Sequence, residues 1–124
     1  MAKKILLGTL TLALLLELVL TVGAFVPGSL FGLFKISTNS DTLFLVHLVA
    51  WFLVVIDVLC GVAIWKVRQG DPLGWTVASS VAVWWVCLGV SVFVFFGRPD
   101  NLLLDSLKGI IILISARLSR PGST

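Results

Sequence analysis

The sequence predicts an all-α membrane protein in which four antiparallel transmembrane helices form a single bundle. The first observation behind this prediction is the composition of the 124 residues, of which 59% are apolar and only 12% charged. Soluble domains contain ~25% charged residues. A small soluble domain has a large surface to cover with polar groups, so this composition excludes one. The mean hydropathy of +1.14 indicates that lipid is the solvent.

The second observation is the length of the apolar runs. A helix needs ~20 residues to cross a bilayer core of ~30 Å, and the runs cover residues 5–26, 43–65, 73–96 and 102–118. Unbroken runs of this length exclude the alternating strands of a membrane barrel. The whole chain, residues 1–124, is therefore expected to be one four-helix transmembrane domain.

Short connections predict that successive helices are antiparallel neighbours. Gly70-Asp71-Pro72 separates the second helix from the third, and Gly97-Arg98-Pro99-Asp100 separates the third from the fourth. Ser40 or Asp41 is predicted to cap the second helix, and Asp100 the fourth. The longer first connection is rich in Leu and Phe, which is typical of a segment lying in the membrane interface.

Basic residues indicate the orientation of the bundle, because lysine and arginine accumulate in cytoplasmic connections. One end of the predicted bundle carries Lys3, Lys4, Lys66, Arg68, Arg117 and Arg120, and the other carries Lys35 and Arg98. Both termini are therefore expected in the cytoplasm. We expect an integral protein of a bacterial or archaeal cell membrane, with the first run retained as a helix, since it is longer than the core of a signal peptide.

Five ionisable side chains inside the runs are the candidate ligand or proton site: Glu17, His47, Asp57, Asp105 and Lys108. A charge inside a membrane is costly, so each needs a partner or a function. In one interpretation, Glu17–Lys108 and Asp105–Lys108 are ion pairs that fix the packing of helices. In the other, Glu17 forms a proton- or cation-responsive site, with Asp57 as a second titrating group. Lys108 could also extend its ammonium toward the interface.

Small residues share helical faces with the acids, which predicts that these faces point into the bundle, because small residues let membrane helices approach closely. Glu17 lies on a face with Ala13, Thr21 and Ala24; Asp57 with Ala50, Cys60 and Gly61; Asp105 with Gly109, Ile112 and Ala116. The third helix offers a more polar stripe of Ser80, Trp84, Cys87 and Ser91. The mid-helix tryptophans Trp51, Trp84 and Trp85 are expected to pack against neighbouring helices, the alternative being contact with a lipid-like ligand.

The sequence carries no motif for catalysis, and we expect no catalytic residue, metal or cofactor. A single histidine without a nearby His or Cys is a poor metal site, and Cys60 and Cys87 form no C-x-x-C motif. The net charge of +3 is accounted for by topology signals beside helices, so no nucleic-acid partner is expected.

These observations favour a non-catalytic accessory or scaffold subunit of a membrane complex. Its expected partners are the lipid bilayer and either other membrane protein subunits or further copies of the chain. The alternative is a small proton- or cation-coupled transporter or channel that uses the intramembrane acids Glu17 and Asp57.

Four spans, the chain length and a single acid in the first helix resemble the small multidrug-resistance transporters. Phe95-Phe96-Gly97-Arg98 and Leu118-Ser119-Arg120 are also similar to that family. The resemblance covers scattered positions and implies that Glu17 is a substrate-binding acid. The third helix departs from the family, because it lacks the Gly-rich motif through which those transporters dimerise.

A broader resemblance is to uncharacterised bacterial four-span membrane proteins. It is carried by Pro27-Gly28 before Leu33-Phe34, by an acid before the second helix, and by Asp71-Pro72-Leu73-Gly74-Trp75 at the start of the third. This resemblance implies a fold and a membrane location, without an activity.

Overall fold

The computed structural model describes residues 1–25 and 40–121, and these are helical apart from short connections. The long helices are α1 (Ala2–Phe25), α2 (Ser40–Arg68) and α3 (Pro72–Phe96). A fourth helical stretch consists of α4 (Pro99–Asn101), a π-helical segment (Leu102–Ser106) and α5 (Leu107–Ser119), which follow one another without a break. No described residue lies in a strand. The predicted all-α class is confirmed.

Three of the helices are long and apolar enough to cross a membrane: α1, the part Phe44–Arg68 of α2, and α3. Their outward surfaces carry large apolar side chains, as lipid requires; Leu12, Val19 and Phe52 are examples. The helix α5 has 13 residues and does not reach that length by itself. The described residues therefore contain three membrane-capable helices, whereas the sequence predicts four spans.

The helices form a closed ring in which α1 packs on α2, α2 on α3, α3 on α5, and α5 on α1. The centre is filled by fully buried side chains, the largest being Trp75, Trp85, Leu6, Leu10 and Ile112. Small residues between them let the backbones approach. The structure is therefore a four-helix bundle with one core.

The turn between α2 and α3 is built by the residues that the sequence marks as a break. Gly70 has a φ of 76°, a conformation that favours glycine. Asp71 caps α3, since its Oδ1 accepts a hydrogen bond from the backbone N–H of Leu73 at 3.0 Å. This N–H, and the Lys66 ammonium 3.3 Å from Asp71 Oδ2, hold the pKa of Asp71 below its usual value. A Cβ on Gly74 would lie 2.5 Å from a backbone nitrogen of α2, so the turn is tightly packed.

The turn after α3 differs from its prediction. Gly97 ends α3 with a φ of 65°. Asp100 is not the cap of the fourth helical stretch, because Pro99 begins it and Arg98 occupies the cap position. Asp100 lies instead in the first turn, 3.7 Å from the guanidinium of Arg98.

The helix ends lie within a few residues of their predicted positions. Helix α1 begins at Ala2 and α2 continues to Arg68, each three residues beyond the predicted end. In both cases basic residues extend the helix beyond its apolar run. Helix α2 and the fourth helical stretch also begin three residues early. The helix α2 begins at Ser40, but the side chains of the predicted caps Ser40 and Asp41 are outside the described part of the structure. The predicted interfacial segment also lies outside the described residues.

Candidate functional site

An ion cluster lies inside the bundle where α1, α3 and α5 meet. The Lys108 ammonium is 2.9 Å from Oε1 of Glu17 and 3.1 Å from Oδ1 of Asp105. Glu17 and Asp105 are buried, and only 13% of the Lys108 side chain is exposed. The predicted pairs Glu17–Lys108 and Asp105–Lys108 are confirmed. The alternative, an ammonium extended toward the interface, is wrong, because two carboxylates hold it inside.

Trp85 completes this cluster from α3. Its indole N–H donates a hydrogen bond to Oε1 of Glu17 at 3.1 Å, and the Lys108 ammonium lies 4.2 Å from the centre of its ring. The ring is fully buried. The sequence predicts that Trp85 packs against neighbouring helices, but it does not predict the contacts of Trp85 with Glu17 and Lys108. One signal for the contact with Glu17 is that a buried indole N–H needs a hydrogen-bond acceptor.

Close approach of α5 to α3 positions the cluster. A Cβ on Gly109 would lie 2.6 Å from the backbone oxygen of Ala82, so only glycine fits there. One turn earlier, the Ser106 hydroxyl donates to the backbone oxygen of Val86 at 3.1 Å. The π-helical segment turns both Asp105 and Ser106 inward, where both are buried. Such π turns are frequent at functional sites.

Asp57 of α2 forms a second buried polar site, which is joined to the first through α1. The hydroxyl oxygen of Thr21 lies 2.7 Å from Asp57 Oδ2 and also 2.7 Å from the backbone oxygen of Glu17. Only 8% of Asp57 is exposed, and its Oδ1 has no hydrogen-bond partner among the described residues. Thr21, one turn of helix after Glu17, therefore joins the Asp57 carboxyl group to the backbone of α1 at Glu17 and not to the Glu17 carboxylate.

His47 is not brought into either site. It is exposed on α2, where its Nε2 accepts a hydrogen bond from the indole N–H of Trp51 at 3.4 Å. The Phe25 ring of α1 completes this small surface group, since it meets the His47 ring in a T-shaped arrangement with ring centres 5.7 Å apart and the Trp51 ring in the same way at 5.4 Å. The predicted packing of Trp51 against a neighbouring helix is therefore confirmed. Most of its side chain nevertheless faces outward, because Trp51 is 57% exposed.

The remaining predicted faces divide clearly. The small-residue faces around the three acids point inward, as predicted, except that Gly61 is half-buried with open space beside it. The polar stripe of α3 lies outside, with Ser80, Cys87 and Ser91 exposed and Trp84 half-buried. The Ser80 hydroxyl donates to its own helix backbone, at 2.9 Å from the oxygen of Thr76, and so needs no partner in the core. Both cysteines are free.

The chemistry available at these sites is that of buried charges and exchangeable protons. Among residues 1–25 and 40–121, no group of three or more His, Cys, Asp or Glu side chains could hold a metal ion. The acids and the lysine are instead bound to one another or to hydroxyl and indole groups. No protein-family model, curated protein or solved structure matches this chain, so its function is argued from this geometry.

Proposed function

We propose that the protein is a non-catalytic accessory or scaffold subunit of a membrane complex. The observation that carries this proposal is the internal pairing of Glu17, Asp105 and Lys108. A buried ion pair adds little net stability compared with apolar packing, but it can select one arrangement of helices over others. The cluster is then a device that fixes the shape of a bundle whose outer faces contact partners.

The outer face of α2 supports this proposal. Trp51 and Phe52 are adjacent in its middle, and they are 57% and 69% exposed. Phe44, Val55 and Val58 extend the exposed apolar surface along the same helix. Large aromatic side chains in the middle of a span provide a large contact area for a helix of a partner protein.

We further propose that the fourth helical stretch crosses the membrane and that both termini are cytoplasmic, in the cell membrane of a bacterium or archaeon. Residues 99–119 would measure about 30 Å at the rise of an α-helix, close to the bilayer core. Contacts at one end of the bundle support the topology: the Lys3 ammonium is 5.9 Å from the Trp75 ring, and the Trp75 N–H donates to the Ser119 hydroxyl at 3.0 Å. The basic residues that mark a cytoplasmic side lie at this end.

The test of the scaffold role is the native mass of the protein extracted in a mild detergent. We expect an assembly larger than the 13.4 kDa chain. The double variant Trp51→Ala/Phe52→Ala should dissociate it, and Phe95→Ala/Phe96→Ala, which removes two even more exposed rings at the end of α3, should not. A monomeric, partner-free wild-type particle would contradict the proposal.

A second candidate is a proton- or cation-coupled transporter or channel, favoured by the contacts of Thr21. A hydroxyl group has one hydrogen to donate, but the hydroxyl oxygen of Thr21 lies 2.7 Å from two acceptor oxygens. A protonated Asp57 would remove the conflict: its own O–H would donate to Thr21, and Thr21 would donate to the backbone oxygen of Glu17. Loss of that proton would then alter the contact between α1 and α2. The resemblance to small multidrug-resistance transporters implies that Glu17 would bind the substrate in such a transporter.

Flux measurements distinguish the two candidates. The purified protein is reconstituted into vesicles loaded with a pH-sensitive dye, and proton entry is followed after a pH step. Coupled transport predicts entry above that of protein-free vesicles, abolished by Glu17→Gln or Asp57→Asn and unchanged by Asp100→Asn, whose carboxylate is 44% exposed. A scaffold predicts no entry above the protein-free background.

A further inference from the structure

A groove between α3 and α5 opens at the end of the bundle where α1 begins and α5 ends. It has a volume of about 510 Å³ and is lined by Ser79, Leu113, Ala116, Arg117 and Arg120. Its lining combines apolar side chains with two arginines three residues apart, near the end of α5. We call it the α3–α5 groove.

The structure places one of the two arginines across the groove. The Arg120 guanidinium donates to the hydroxyl of Thr76 on α3 at 3.3 Å. Ser79 lies one turn further along the same helix and supplies the hydroxyl of the lining. Two arginines and the Ser79 hydroxyl therefore line the groove, with Leu113 as its accessible apolar side chain and the buried Ala116 at its base.

We propose that the α3–α5 groove binds an anionic phospholipid, with the phosphate at Arg117 and Arg120 and an acyl chain along Leu113. Guanidinium groups match phosphate oxygens with two parallel hydrogen bonds, which an ammonium does not. Basic pockets between membrane helices at the cytoplasmic side are typical sites for anionic headgroups. The apolar part of the groove favours a lipid over free phosphate, which would leave Leu113 against water.

A groove between α1 and α2 provides an internal comparison. It is also largely apolar and includes Leu12 and Ile64, but Arg68 is its single arginine. With one guanidinium in place of two, it offers half of the phosphate contacts. We therefore expect the tighter lipid site at the α3–α5 groove.

The test is lipid titration of the purified full-length protein in a neutral detergent, followed by native mass spectrometry. Phosphatidylglycerol and phosphatidylcholine with identical acyl chains are the probes. We expect phosphatidylglycerol to bind more tightly, and Arg117→Gln/Arg120→Gln to weaken it by about tenfold or more, the effect of losing charge-assisted hydrogen bonds. The control Lys4→Gln/Arg98→Gln removes the same formal charge outside the groove and should change the affinity less than about twofold.

Three results would overturn the proposal: equal binding of the two lipids, equal loss in the control variant, or displacement of the lipid by inorganic phosphate at equal concentration. The last result would indicate a free-phosphate site. If the glutamine variant fails to fold, Arg117→Lys/Arg120→Lys decides the question. It keeps both charges but not the guanidinium fork, so an affinity equal to that of the wild type would contradict the assignment.

Discussion

The Lys108 ammonium lies between two carboxylates, so replacing it should be more costly than replacing either acid. In Glu17→Gln, Lys108 keeps Asp105 at 3.1 Å, and an amide oxygen remains to accept from Trp85. In Lys108→Met, two buried carboxylates remain near each other without their shared cation. The structure thus predicts that Lys108→Met destabilises the protein more than Glu17→Gln does. A pair formed by Glu17 and Lys108 alone would not predict this order.

The expected magnitudes follow from the cost of breaking a buried ion pair, ~3–5 kcal/mol. Lys108→Met should lie in that range, while Glu17→Gln should cost about 1–3 kcal/mol because one carboxylate partner survives. The double variant should cost at least about 1 kcal/mol less than the sum of the two, since it removes both ends of the broken pair.

The assay is unfolding of the wild type, the two single variants and the double variant in one neutral detergent, followed by circular dichroism. A matched control cycle uses the exposed pair Arg98→Gln and Asp100→Asn, whose coupling should be about 0–0.5 kcal/mol. Strict additivity of the Glu17 and Lys108 effects, or a larger loss for Glu17→Gln than for Lys108→Met, would refute the reasoning.

Three further predictions use the same unfolding assay. Gly109→Ala should destabilise the bundle by about 1–3 kcal/mol because its Cβ would meet the backbone of α3, whereas Gly8→Ala, with open space around it, should be neutral or stabilising by up to about 1 kcal/mol. Trp85→Phe keeps an aromatic ring but removes the N–H donor to Glu17 and part of a fully buried side chain, and should cost at least about 1 kcal/mol; an unchanged midpoint would show that this hydrogen bond is dispensable. Asp71 has a pKa below its usual value, so its ionised form stabilises the fold above about pH 4, and that contribution is lost as the pH falls through the folded-state pKa. Asp71→Asn should therefore flatten the acid side of the stability profile, and an unchanged profile would argue against this role.

Much of the fold is predicted from local features of the sequence. The apolar runs identify the helices, because spanning length and hydrophobicity are properties of each segment alone. Gly70 and Gly97 mark the two turns through their backbone conformations. The small-residue faces around the acids predict which sides point inward, and hence that Glu17 and Lys108 meet.

Only the tertiary structure decided which groups complete the sites. Trp85 reaches Glu17 from α3, Thr21 joins Asp57 to the backbone at Glu17, and Trp51 turns outward although it lies mid-helix in an apolar run. The π-helical segment brings Asp105 inward at a point where the sequence shows only a continuous helix. Each such placement depends on how far a helix is rotated about its axis, because successive side chains point about 100° apart. Small-residue faces indicate the inward side of a helix, but packing against both neighbours in the ring sets the exact rotation and, with it, the individual contacts.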